Sequence, residues 1–168
     1  MEQRQRPRKS RDLDRRRRKL GMRKVFFSFH HKRDVLRVAV VRNSNRFMGN
    51  QQNPWLDNAE WEKLKRTGNA AVQSWIDDQL RGSSVTVVLI GAETANRPWV
   101  KYEIAKSIEM GKGLIGIYIN RVPSMLSPSD PRGANPLPAG YPTYDWQDNV
   151  GRMNLGRWIE AEARRHGL

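Results

Sequence analysis

Hydrophobic positions along residues 22–168 follow two alternating periods. Short runs dominated by β-branched and aliphatic side chains are typical of buried strands, and they predict strands at 24–29, 84–90 and 114–119 with a short edge strand at 143–146. Between these runs, apolar residues recur at helical spacing and predict helices at 33–42, 59–81, 97–111 and 149–165. The polar stretch 43–58 and the stretch 121–142, which holds six of the nine prolines, are predicted to be irregular.

Apolar strands separated by helices predict an α/β fold with a mainly parallel sheet and helices on both faces, in a doubly wound, flavodoxin-like arrangement. In such sheets, ligands bind outside the carboxyl ends of the strands at the point where the strand order reverses. That point is expected beside the first strand. The order therefore predicts a crevice that brings Ser28, Phe29 and His30 close to residues 91–99.

Net charge divides the chain into two parts. Of the total of +14, residues 1–21 contribute +7 from ten Lys or Arg and three Asp or Glu. We expect this segment to be a basic disordered tail, followed by one domain at 22–168. The tail is interpreted either as an extension without function or as an arm that contacts nucleic-acid phosphates without reading sequence. The rest of the chain lacks a recognisable nucleic-acid reader module.

Several kinds of chemistry are excluded by the residues present. The chain has no cysteine, and three scattered histidines do not form a zinc motif. It contains no phosphate-binding loop, no dinucleotide glycine fingerprint and no serine-hydrolase elbow. We therefore expect no metal and no permanently bound cofactor. Without a secretory leader or an apolar run of roughly 18 residues, the expected location is the cytoplasm, away from the membrane.

The strand at 84–90 leads into a helix that carries a tryptophan and a glutamate one turn apart, Trp99 and Glu103. A carboxylate and an indole at the end of a buried strand indicate a ligand site. Helical geometry places Glu103 at the edge of the apolar face formed by Val100, Ile104 and Ile108, where we expect it to be half-buried. The alternative is a surface pair with Lys101 or Lys106.

Seven segments occur in an order that is characteristic of one protein family. They are Val25-Phe26-Phe27-Ser28-Phe29-His30, Val40-Val41-Arg42-Asn43, Ser84-Val85-Thr86-Val87-Val88-Leu89-Ile90-Gly91, Asn96-Arg97-Pro98-Trp99-Val100-Lys101-Tyr102-Glu103-Ile104, Lys106-Ser107-Ile108-Glu109-Met110-Gly111-Lys112, Ile115-Gly116-Ile117-Tyr118-Ile119-Asn120 and Asn135-Pro136. Together they resemble the TIR-like domain of Thoeris anti-phage systems, closely over residues 23–120 and loosely beyond.

The resemblance implies an enzyme that cleaves the nicotinamide–ribose bond of NAD and releases an ADP-ribose-derived, often cyclic, signal. Its expected partners are NAD, a phage-derived trigger, a separate effector reached through the diffusible nucleotide, and further copies of the chain. The resemblance implies that Glu103 is the catalytic carboxylate. A carboxylate suits this reaction because it stabilises an oxocarbenium-like transition state. The alternative function is a non-catalytic TIR-like adaptor that binds partner proteins.

Seven further residues are candidates for binding NAD. Trp99 would stack on a base or close the core edge, and Ser28 would contact ribose or phosphate. Arginine and helix termini suit a pyrophosphate, although the same residues also serve as helix caps or surface charges. The complete set of binding candidates is Phe27, Ser28, Phe29, Arg42, Asn43, Arg97 and Trp99. The other tryptophans are interpreted as core anchors, and the His30-His31 pair as non-catalytic.

Overall fold

The computed structural model of the chain describes residues 23–44, 51, 52, 56 and 58–168. The predicted tail at 1–21, the core role of Trp55 and most of the predicted loop at 43–58 lie outside these residues. The strands are β1 (Lys24–Ser28), β2 (Gln51–Gln52), β3 (Val85–Ile90), β4 (Gly113–Tyr118) and β5 (Thr143–Asp145). The helices are α1 (His31–Ser44), α2 (Asn58–Thr67), α3 (Asn69–Gly82), α4 (Pro98–Glu109) and α5 (Gly151–Arg165).

The five described strands form one parallel sheet in the order β2-β1-β3-β4-β5. Strand order therefore reverses beside β1, as the sequence predicts, and the fold is the expected flavodoxin-like α/β type. β3 lies in the middle, and all six of its residues are buried. Its register with β1 pairs Phe27 with Val87 and Ser28 with Val88, so the ends of these two strands lie side by side.

Helices cover both faces of the sheet and divide the core into two layers. On one face, Val85, Val87 and Leu89 of β3 pack with residues of α1 and α5 such as Val38 and Ile159. On the other face, β3 packs against α4, and Phe26 of β1 packs against α2 and α3. β1 and β3 thus contribute side chains to both core layers, because successive side chains along a strand point to opposite faces of the sheet.

One predicted helix is in fact two. The sequence pattern over 59–81 continues without interruption, but Gly68 separates α2 from α3 with φ of +116°. Glycine adopts this region at little steric cost, which allows the chain to change direction between the helices. The predicted single helix was therefore wrong at this residue. The change of direction matters for function, because it sends α2 toward the carboxyl end of β1.

The remaining boundaries agree closely with the predictions. The edge strand β5 is present, and α4 is followed by Gly111 with φ of +65°. The predicted loop at 43–58 is corrected in part, because β2 lies within it and α1 extends to Ser44. Within the described part of the chain, no helix combines the length and the apolar character needed to cross a membrane.

Candidate active site

A crevice of about 260 Å³ opens at the carboxyl ends of β1 and β3. Three parts of the chain enclose it: the turn from β1 into α1, the start of α4, and one side of α2. The lining residues are Phe29, His30, His31, Lys32, Trp61, Glu62, Lys65, Arg97, Pro98, Trp99, Val100 and Glu103. The crevice therefore lies where the sequence predicts it, next to the reversal of strand order.

Glu103 lines this crevice from α4 and is only 3% exposed. Ser28 Oγ donates a buried hydrogen bond to Glu103 Oε2, which joins the end of β1 to α4. The expectation of a half-buried edge position was wrong, because the buried face of α4 consists of Val100, Glu103, Ile104 and Ser107, while Ile108 is 39% exposed. The alternative of a surface pair is also wrong for Lys106, whose ammonium lies 2.9 Å from a carboxylate oxygen of Glu109.

The environment of Glu103 favours the protonated carboxyl group. Burial raises its pKa to about 8, and the hydrogen bond from Ser28 lowers it by a smaller amount. Among the described residues, no lysine or arginine lies within salt-bridge distance of Glu103. A cation that enters the crevice would supply the missing charge and favour the carboxylate. The site is thus arranged to respond to a positively charged group.

Aromatic rings form two walls of the crevice. On α4, Trp99 lies edge-to-face with Tyr102, with ring centroids 6.0 Å apart. On the opposite side, the His31 imidazole is stacked between Phe29 at 4.2 Å and Trp61 at 4.4 Å. Burial lowers the pKa of His31 to about 4, so the imidazole is neutral near pH 7 and behaves as part of an aromatic stack. Flat rings on both sides suit a planar ligand group.

The chain reaches the crevice from β3 through a tight passage at Gly91. A β-carbon at this position would lie 2.3 Å from Asp34 Oδ2 of α1, so a side chain does not fit there. Gly91 N–H donates to Thr94 Oγ1 at 2.8 Å and starts the short 3-10 turn Thr94–Asn96 that precedes α4. Arg97 then occupies the N-cap position of α4, and Pro98 lies in the first turn of this helix. This sequence of turns directs Trp99 and Glu103 into the crevice.

Four of the seven predicted binding residues are brought together with Glu103. Phe29, Arg97 and Trp99 line the crevice, and Ser28 contacts the carboxyl group directly. Arg97 is also held by Glu93, with Nη2 and Oε2 3.1 Å apart. Of the alternatives for Arg97, the surface charge fits better than the helix cap, because its side chain is 40% exposed and forms no capping hydrogen bond at the N-cap position of α4.

The structure places the other three predicted residues elsewhere. Phe27 belongs to the core layer beneath α1, and the Arg42 guanidinium lies over its ring at 5.7 Å from the centroid. Asn43 lines a second cavity of about 510 Å³ beside Val150 and Gly151 at the start of α5. Phe27 lies further from the carboxyl end of β1 than Phe29, which points to the same face and does line the crevice. Arg42 and Asn43 lie in the last turn of α1, away from the first turn that borders the crevice.

Three residues of α2 were missed as candidates for the site. Trp61, Glu62 and Lys65 line the crevice from the side opposite α4. The sequence assigned Trp61 to the core, which is correct in part, because this residue is 5% exposed and packs with Phe26. In the sequence, Gly68 could have indicated these residues, since a break of the helix at this glycine allows α2 to turn toward β1.

Two comparisons relate the chain to known proteins. The family model described as the TIR-like domain of the Thoeris protein ThsB matches residues 26–124. A protein of Bacillus cereus (strain MSX-D12) named "Putative cyclic ADP-D-ribose synthase ThsB1" is 41% identical over 138 residues, which covers 80% of this chain and 70% of the relative. The family match spans β1 to the segment after β4 and therefore includes both Ser28 and Glu103.

Proposed function

The chain belongs to the family of TIR-like domains of Thoeris ThsB proteins, and on this premise we propose that it is an NAD-processing enzyme. It cleaves the nicotinamide–ribose bond and converts NAD into an ADP-ribose-derived signal of the cyclic type. The named activity of the Bacillus cereus relative supports this assignment. The signal then activates a separate effector protein, and a phage-derived component triggers its production.

The observation that carries the proposal is the setting of Glu103. A carboxyl group that is 3% exposed, with a pKa raised by burial to about 8, costs folding free energy whenever it ionises. A role in protein–protein contacts offers no reason to retain it at the bottom of a crevice. A reaction that develops positive charge on a bound ligand does offer such a reason, because that charge stabilises the carboxylate.

In the reaction, the bond between ribose C1′ and the nicotinamide nitrogen breaks. Its electron pair goes to nicotinamide, which leaves as a neutral molecule, and positive charge develops at the ribosyl centre. The Glu103 carboxylate stabilises that charge, while Ser28 holds one carboxylate oxygen in place. A nucleophilic atom of the same nucleotide then bonds to C1′ in the cyclising reaction, or water does so in hydrolysis, and a proton is lost.

The aromatic walls orient the substrate for this step. Trp99 lies one helical turn before Glu103, so a nicotinamide ring packed on the indole places its ribosyl bond near the carboxylate. The neutral His31 stack forms the facing wall and adds no positive charge that would repel the pyridinium ring. Proximity and orientation of this kind account for a large share of enzymatic rate enhancement.

The experiment is an incubation of the full chain with NAD, followed by mass analysis of the nucleotide products. It is run alone and with extract from phage-infected cells, with heat-denatured protein as the control. We expect nicotinamide and a product with the mass of a cyclised ADP-ribose. The proposal is contradicted if NAD remains intact in both incubations, without and with the extract, although circular dichroism shows that the protein is folded.

A further inference from the structure

Two lysines lie at the mouth of the crevice, on different helices. Lys32 belongs to the first turn of α1, and Lys65 belongs to the last turn of α2. Both line the same crevice as Glu103 and Trp99. The bend at Gly68 and the turn at residues 29–30 thus bring two cations from separate parts of the chain to one opening.

The position of Lys32 is unfavourable for the fold by itself. The first turn of a helix carries partial positive charge, so a lysine there is destabilising, whereas an anion is stabilised. Within the described part of the chain, Lys32 forms no salt bridge that would offset this cost. A bound anion would interact favourably with both the lysine and the helix terminus.

Lys65 forms a salt bridge, but a ligand can replace its partner. Its ammonium lies 2.8 Å from Glu62 Oε1, and the two side chains are 37% and 41% exposed. Exposed pairs of this kind contribute little to stability because water screens them. A phosphate offers several charged acceptor oxygens and therefore competes effectively for the ammonium group.

The charges that act on His30 and His31 indicate a positive electrostatic potential at the opening of the crevice. The pKa of His31 is lowered chiefly by burial and further by His30, Lys65 and Arg42, against the opposing effect of Glu62. The pKa of His30 is lowered by burial and by Arg97, Arg33 and Lys32, against the opposing effect of Glu93. Cations therefore dominate the field at both imidazoles. The inner end at Glu103, by contrast, has no cation of its own among the described residues.

This polarity matches a dinucleotide with a cationic nicotinamide at one end and a pyrophosphate in the middle. We propose that Lys32 and Lys65 bind the pyrophosphate and thereby hold the substrate in the crevice. The inference rests on the proposed function for the identity of the substrate. It assigns the two lysines to binding, so they contact the ligand without taking part in bond cleavage.

The test compares Lys32→Ala/Lys65→Ala with Lys63→Ala/Lys101→Ala. The control pair removes the same charge from exposed positions of α2 and α4 that do not line the crevice. ADP-ribose, with two phosphates, and adenosine, with none, are titrated into each protein. Because Trp61 and Trp99 line the crevice, intrinsic tryptophan fluorescence reports binding.

We expect the crevice variant to bind ADP-ribose roughly 10- to 100-fold more weakly than the parent, since each charged contact is lost. Its affinity should also depend less on salt, while adenosine binding and the control pair remain unchanged. With NAD, KM should rise by a similar factor while kcat stays within about twofold.

Other outcomes overturn the assignment. It fails if the parent does not bind ADP-ribose, if both double variants lose the same affinity, or if adenosine binding falls together with ADP-ribose binding. If the lysines prove necessary for ADP-ribose but the parent does not consume NAD, the proposed function fails while the phosphate site stands. The two proposals are therefore separated by the same set of proteins.

Discussion

Two buried carboxyl groups in this protein have opposite surroundings. Asp145, at the end of β5, is 7% exposed and is held by Arg121 Nη2 at 2.9 Å and Arg132 Nη1 at 2.8 Å. The backbone N–H groups of Gln147 and Asp148 also donate to it. Burial alone would raise its pKa, but these donors outweigh burial and lower the pKa. Glu103 is buried more deeply and has one hydroxyl donor, Ser28.

The difference indicates a structural role for Asp145 and supports the proposed catalytic role of Glu103. The charge of Asp145 is compensated within the protein, and it ties β5 to the segments at 121 and 132. The charge of Glu103 is not compensated by the described residues, so its compensation is left to a ligand. Neutralising Asp145 should therefore damage the fold, whereas neutralising Glu103 should damage catalysis and relieve the fold.

The largest expected effect on stability comes from Glu103→Gln at high pH. The folded pKa of about 8 lies above the ordinary value of 4.5, so the folded protein holds the proton more tightly. The free energy of unfolding then decreases as pH rises from 4.5 to 8, and the glutamine variant lacks this decrease. The free energy of unfolding of the variant should exceed that of the parent by an amount that grows with pH to about 5 kcal/mol at most.

Chemical denaturation of both proteins at pH 5, 7 and 9 measures this difference. Since all other groups are shared, their pH dependence cancels when the two proteins are subtracted. A difference that stays constant across the three pH values would mean that Glu103 titrates normally and is not held in the protonated form.

The next effect in size is the loss of stability in Asp145→Asn. Its depressed pKa contributes stability above the ordinary value of 3.8, and this stability disappears as pH falls through the folded pKa. We expect the variant to be less stable by about 2 kcal/mol at pH 7, because hydrogen bonds to charged groups are lost. Thermal melting measures it. Equal melting temperatures for variant and parent would remove the contrast between the two carboxyl groups.

A smaller effect is expected from Ser28→Ala. The Ser28 hydroxyl lowers the pKa of Glu103, so its removal should raise that pKa further and move the rise of kcat/KM to higher pH. The rate near pH 7 should fall about tenfold, the value of one hydrogen bond to a charged group. Thr86→Ser, a change in the neighbouring buried hydroxyl pair with Ser107, is the control. An unchanged pH profile in Ser28→Ala would show that this hydrogen bond does not tune Glu103.

Four of the five described strands, the crevice and the presence of Glu103 in it were predicted from the sequence, because strand periodicity and the right-handed connections of a doubly wound sheet can be inferred from local patterns. The short strand β2 was missed, since its two glutamines carry no such pattern. The full burial of Glu103 could not be predicted, since the bond to Ser28 joins residues 75 positions apart. The contribution of α2 was missed for the same reason, because Trp61 and Lys65 reach the site through the bend at Gly68.

The placement of Phe27, Arg42 and Asn43 shows the limit of inference from motifs. These residues lie within ordered segments that match the family, yet Phe27 belongs to a core layer, Arg42 lies over its ring, and Asn43 lines a second cavity. A motif places a residue near a site along the chain, whereas the direction of its side chain depends on the packing of the whole domain. Their proposed contacts with NAD stay predictions, and they find no geometric support in this structure.

The most direct test of the catalytic role of Glu103 is the rate of nicotinamide release by the parent, Glu103→Gln and Asp145→Asn under conditions in which the parent is active. Glutamine preserves the size of the side chain but removes its charge, so we expect the rate of Glu103→Gln to fall by at least about 100-fold. Asp145→Asn should retain the parental rate within a few-fold at a temperature where it stays folded. Near-parental release by Glu103→Gln would contradict this role and would direct attention to Glu93, which follows β3 and pairs with Arg97.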